Sequence, residues 1–195
     1  MIVTTQNEFF IDNAIDNLIE DFCMYPNKYL TEEDVRTHLC LNLMERFGVI
    51  QKTKDSDRSI ALHTEVRWWG PNGSQERSDI VIFDVSELSV TKEVIKKQTK
   101  MKIIPQKGYS FNKALAIIEI KLRRTVDCSD NQYIKKIKKD INKLTNIKQM
   151  FNDFYDSAPV LSMVALDKRN LIPYLANCTE NIGVKFKYAY KTKYT

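Results

Sequence analysis

Ala116-Ile117-Ile118-Glu119-Ile120-Lys121 is an apolar run that ends by setting a carboxylate and an amine two residues apart. Extended backbone places side chains i and i+2 on one face, so Glu119 and Lys121 project together from a strand whose interior is otherwise apolar. The run reaches back to Ala114 without a polar residue, as a central strand covered on both faces requires. Charges at the end of such a strand are costly to bury unless they are paired, bind a metal or carry out chemistry.

Upstream, Arg77-Ser78-Asp79-Ile80-Val81-Ile82-Phe83-Asp84 is a second apolar run that also begins with a carboxylate. Residues 60–69 are strand-like, and Gly70-Pro71-Asn72-Gly73 is a strong turn signal, so the two segments form an antiparallel hairpin. If the hairpin's second strand neighbours Ala114–Lys121, Asp79 and Glu119 approach one point with Lys121 beside them. Hard divalent cations bind carboxylate oxygens while retaining waters, so Asp79 and Glu119 are sensible ligands, with the Ile120 carbonyl available between them. A lysine next to such an ion can orient or deprotonate a water. Together these groups are equipment for attack on a phosphodiester, with the ion stabilising the charge that develops.

The rest of the chain supplies helices and further strands. Apolar positions Phe10, Ile11, Ala14, Ile15, Leu18, Ile19 and Phe22 recur at helical spacing. Thr31 is a good N-cap for a second helix, Glu32, Glu33 and Asp34 suit the positive end of its dipole, and Gly48 stops it. Residues 87–112 are polar, lysine-rich and weakly periodic, an irregular excursion or a short helix. A long helix between Asn131 and Tyr155 carries Ile134, Ile137, Ile141, Leu144, Ile147 and Phe151 on one face. A strand at 160–166, a short helix at 170–177 and a last strand at 183–191 complete the expected order.

At 195 residues and 43% hydrophobic content, the chain is expected to form one domain over residues 1–195. No apolar stretch approaches the roughly 20 residues of a membrane span, and the first segment is acidic rather than a basic start before an apolar core. The expectation is therefore a soluble, cytoplasmic protein with no membrane partner. Cys23, Cys40, Cys128 and Cys178 lack the paired spacing of a zinc site or disulfide framework and are expected as reduced thiols. The formal net charge of +5 is modest. Between Lys121 and Lys148, however, nine Lys and Arg face three Asp, so the basic excess follows directly on the Glu119–Lys121 pair. Arg123, Arg124, Lys135, Lys136 and Lys139 are accordingly candidates for phosphate-backbone contact.

These residues resemble the PD-(D/E)xK, or restriction-endonuclease-like, nucleases. The matching pieces are Glu32-Glu33-Asp34-Val35, Arg77-Ser78-Asp79-Ile80-Val81-Ile82 and Ala116-Ile117-Ile118-Glu119-Ile120-Lys121, in family order, with Ser78 where the eponymous proline would stand. The resemblance spans roughly Thr31 to Leu166 and implies an α/β three-layer fold, with a central mixed sheet of about four to five strands flanked by helices. It also implies a helix acid, for which Glu32 is favoured over Glu33. Glu65 matches a strand acid of small stand-alone members, and Asp140-Ile141-Asn142-Lys143-Leu144 looks like their helix after the motif.

The expected activity is hydrolysis of phosphodiester bonds in DNA. Asp79, Glu119, the Ile120 carbonyl and Glu65 would form the Mg²⁺ or Mn²⁺ site, Lys121 would position the attacking water, and Glu32 would assist through a water. A nucleic-acid-binding or assembly module that keeps the fold without turnover is the alternative. A third reading, an RNA endonuclease similar to viral cap-snatching domains, rests on His38 in the acid-bearing helix. Cutting both strands ordinarily takes two copies of a one-site domain, so a homodimer is compatible with the first reading.

Overall fold

The two apolar runs become adjacent inner strands of a five-stranded sheet. The computed structural model describes residues 2–69, 75–90, 112–154, 158–176 and 183–191. Helices α1 (Ile2–Met24) and α2 (Glu32–Phe47) come first, followed by a small antiparallel pair, β1 (Gln51–Lys52) and β2 (Arg58–Ser59). The main sheet is built from β3 (Leu62–Trp69), β4 (Gln75–Phe83), β5 (Ala114–Arg123), β6 (Val160–Asp167) and β7 (Lys185–Tyr190), in that spatial order. Helix α3 (Asp130–Phe154) links β5 to β6, and the short α4 (Pro173–Ala176) precedes β7. The first three strands of the sheet pair antiparallel and the last three parallel, so it is mixed, with β5 at the centre.

Alternation along the inner strands feeds two cores. Ile80, Ile82, Ile118 and Ile120 pack with Ile11, Ile15 and Leu18 of α1 and Val35, Leu39 and Leu43 of α2. Val81, Phe83 and Ile117 pack on the opposite face with Tyr133, Ile137, Leu144, Ile147 and Phe151 of α3. This period-two division places helices on both faces of the sheet, an arrangement compatible with a three-layer fold. Most residues of the helical stripes read from sequence are buried, with Phe10, Ile19, Ile134 and Ile141 partly so.

Helix α2 begins where its capping signal stands. Thr31 Oγ1 accepts the Asp34 N–H at 3.1 Å, and Asp34 Oδ2 accepts the Thr31 N–H at 2.8 Å, a reciprocal capping box. At the other end the Gly48 N–H donates to the Met44 carbonyl at 2.9 Å. Of the sequence expectations, the 70–73 turn, Cys178 and most of the 87–112 excursion lie outside the described residues. The β1–β2 pair has no counterpart among the expected elements, because two-residue strands carry no periodicity to detect. Among the described residues no helix is long and apolar enough to cross a membrane.

Candidate functional site

Strand register puts Glu65, Asp79 and Glu119 in one row across β3, β4 and β5. Thr64 pairs with Ile80 and Val66 with Ser78, so Glu65 falls opposite Asp79. Ile80 pairs with Ile118, so one further step sets Asp79 opposite Glu119. Three carboxylates side by side repel, and regular pairing gives way at this row. Glu65 has φ of 56°, a left-handed conformation that a non-glycine residue adopts only at a cost. The β4–β5 pairing stops at Ile80, and Asp79 Oδ2 accepts the Ile120 N–H at 2.8 Å in place of a backbone carbonyl. A strand residue presents its N–H and C=O on the same edge, so the Ile120 carbonyl also faces this opening.

Each acid of the row leans on a cation, and Glu65 and Asp79 share one of them. Arg36, from α2, and Arg77 both bind Glu65. Arg36 also lies 3.4 Å from Asp79 Oδ1. From α3, Lys143 Nζ donates to Glu119 Oε2 at 2.5 Å and to the Arg77 carbonyl at 2.6 Å. The side chains are thus turned toward their partners, and among the described residues no three acidic, histidine or cysteine side chains already converge as a metal-binding set.

Glu119 is 2% exposed, and its Oε1 is buried without a hydrogen-bond partner. Burial pushes its carboxyl up to about 8, against the pull of Lys143 and with a further push from Asp79. A buried carboxylate with an unsatisfied oxygen suits a cation, and this donor set of carboxylates with a free-edge carbonyl suits a hard divalent one.

Lys121 shares the Glu119 face and lies 3.2 Å from Asp140 Oδ2 and 3.5 Å from Glu32 Oε1. Burial pulls its ammonium down, but Asp140 and Glu32 more than offset this and hold it above the ordinary lysine value. It is therefore a standing cation and hydrogen-bond donor, which favours orienting a water or phosphate over abstracting a proton. Glu32 also accepts the Leu122 N–H at 3.2 Å, tying the start of α2 to the end of β5. Glu33 stays largely exposed, 3.2 Å from Arg36. Of the two helix acids, only Glu32 reaches the lysine.

The basic candidates divide. Arg124, Lys135, Lys136 and Lys139 are exposed. Arg123 is not: it is fully buried, bound by Asp167 and Asp130, with its guanidinium over the Tyr133 ring at 5.1 Å. Its expected role in nucleic-acid contact is corrected to a structural ion pair, because alternation along β5 turns it inward beside the Asp167 that ends β6. A concavity of about 400 Å³ beside Lys121 is lined by Glu32, Arg36, Arg124, Tyr133 and Lys136 among others. A second, of about 590 Å³, is lined by Arg77, Lys135, Lys138, Lys139, Lys143 and Asn146 among others.

Other candidates are placed elsewhere. Trp68 is fully buried and donates its indole N–H to Ser78 Oγ at 2.8 Å, so Ser78 helps to anchor the core. His63 packs edge-on against Phe83, and His38 against Tyr29 at 5.2 Å, in the field of Asp21 and Asp34 rather than the acid row. Sequence reasoning missed Arg36 and assigned no role to Asp140 or Lys143. The one available signal was their i, i+3 spacing on α3, on the strand-facing side of a helix otherwise charged outward.

The chain matches no protein-family model, no curated protein and no solved structure.

Proposed function

We propose that this protein is a metal-dependent endonuclease of the restriction-endonuclease-like fold that hydrolyses phosphodiester bonds in DNA. The observation that carries this reading is the row Glu65–Asp79–Glu119, opening at the Ile120 edge beside Lys121. Charge supports it. The linked side chains Glu32, Glu33, Glu65, Asp79, Glu119 and Asp140 oppose only Arg36, Arg77, Lys121 and Lys143, which leaves the cluster two positive charges short when all are ionised. One divalent cation supplies that difference.

Asp79, Glu119 and the Ile120 carbonyl would hold Mg²⁺ or Mn²⁺, with Glu65 close enough in register to join them. When bound, the ion supplies Lewis-acid stabilisation of the phosphate and leaving oxygen. Lys121, kept protonated by Asp140 and Glu32, orients the water or a phosphate oxygen. Glu32 holds Lys121 in place and is the acid available to take a proton from a water there. Arg124 and Lys136 on one side, and Lys135 and Lys139 on the other, suit contact with the backbone of the nucleic acid.

Purified protein is expected to nick supercoiled plasmid DNA with Mg²⁺ or Mn²⁺ and not with EDTA. Asp79→Ala and Lys121→Ala should each lower the rate about 100-fold or more, in the range of a lost charge-stabilising group. Full activity in both variants overturns the mechanism. The internal pairing of all three row acids is what favours the second reading, a binding module without turnover. Salt-sensitive DNA binding with no calorimetric metal binding is the outcome that selects it.

A further inference from the structure

The strand pair Glu119/Lys121 and the helix pair Asp140/Lys143 form a chain of alternating charge, Glu119–Lys143–Asp140–Lys121. Lys143 meets Glu119 at 2.5 Å, and Lys121 meets Asp140 at 3.2 Å. The third approach, Asp140 Oδ1 to Lys143 Nζ, is 3.9 Å and runs along one turn of α3. Lys143 thus has two carboxyl partners. One is the buried Glu119, and the other is Asp140 on its own helix.

We propose that Lys143 is a resident counter-cation that occupies the ion's place beside Glu119 and yields it to the divalent ion by moving onto Asp140. The proposal rests on the metal-site reading above. Lys143 is 13% exposed and its ammonium also holds the Arg77 carbonyl, so it is seated rather than loosely screening. The ammonium holds Glu119 Oε2 while Oε1 is unpartnered, and a hard cation taken up by Oε1 of the same carboxyl meets the repulsion of that neighbouring positive charge. The lysine's flexible four-carbon stem allows a small swing, and an acceptor already stands within 4 Å of its nitrogen. As a positioning residue it holds the buried Glu119 side chain by one oxygen before the ion arrives.

Competition predicts a sign that a structural clamp does not. Lys143→Met keeps the stem and removes the charge, so Mn²⁺ affinity measured by calorimetry in the absence of DNA should rise about tenfold. Lys138→Met removes an equal charge from an exposed position on the same helix and should move affinity less than about twofold, since exposed charges are screened. Unchanged or weaker Mn²⁺ binding in Lys143→Met, or an equal gain in Lys138→Met, overturns the proposal. Should Lys143→Met not fold, the wild-type protein answers: in a Mg²⁺ titration followed by NMR, the Lys143 ε-methylene signal should shift along the binding isotherm, and a signal unmoved at saturation overturns the proposal. If the wild type binds neither ion, the metal-site reading itself has failed and the proposal falls with it. Wild-type binding that Glu119→Gln abolishes, together with no gain in Lys143→Met, leaves that reading standing and removes only the competition.

Discussion

Glu119 couples the stability of the sheet to the protonation of a single buried carboxyl. It sits at the centre of the sheet, almost inaccessible, with one oxygen on Lys143 and the other unpartnered. Burial raises its carboxyl from the ordinary 4.5 to about 8. Between those values the folded chain retains a proton that the unfolded chain has lost. The contribution to stability is therefore fully present below pH 4.5, falls as pH rises, and is lost above about pH 8. At about 1.4 kcal/mol per unit, the metal-free protein should lose up to about 5 kcal/mol across that window. Urea denaturation of wild type and Glu119→Gln in EDTA checks this. The variant should lack the slope and be the more stable of the two at pH 8, and parallel profiles would refute the assignment.

At the scale of elements, the joints between strands and helices decide which charges are structural. Arg123 ends β5, binds Asp167 at the end of β6 and reaches Asp130 in the first turn of α3, so one guanidinium ties three elements together. Asp167 also accepts the Arg169 N–H at 2.9 Å, and Tyr133 donates its hydroxyl to the Leu166 carbonyl at 2.9 Å in the same knot. Removing one partner of a buried ion pair strands the other charge, a loss of about 3–5 kcal/mol. Arg123→Ala should show that loss by thermal or urea unfolding. Arg124→Ala, one residue away and exposed, should unfold like the wild type and lose only nucleic-acid affinity.

Across the whole molecule, the acid row and the basic surfaces are brought together by β5 and α3. The strand carries Glu119 and Lys121, and the helix lies across them with its apolar side and Lys143 on the sheet and Lys135, Lys136, Lys138 and Lys139 outward. The helix thereby links the cluster to both concavities, and a nucleic-acid backbone lying along it would meet Lys135, Lys136 and Lys139. Affinity for duplex DNA, measured by fluorescence anisotropy in EDTA between low and physiological salt, should fall linearly in log–log form. Alanine at these three positions together should reduce the slope by about 2 to 3, near one for each phosphate that is no longer neutralised. An unchanged slope would take α3 out of the interface.

The elements were legible because each has a strong local signature. These are the unbroken apolar run of β5, the helical stripe of α1, the Thr31-to-Asp34 cap of α2, and the apolar-and-lysine pattern of α3. Asp79, Glu119 and Lys121 were legible as candidates for a related reason, since charges at the ends of apolar strands stand out against their surroundings. Their partners were not. Arg36, Asp140 and Lys143 lie on helices where charged residues are ordinary, and only the packing of those helices over the row decides that they face it. Arg123 and Arg124 make the same point in adjacent positions, being identical in type and opposite in fate because Arg123 is the last residue of β5 and is buried against Asp167 of the partner strand, while Arg124 lies just past the strand end and is exposed. Local composition determined which elements form. Register and helix packing decided which charges meet, because those depend on contacts between residues far apart in the chain.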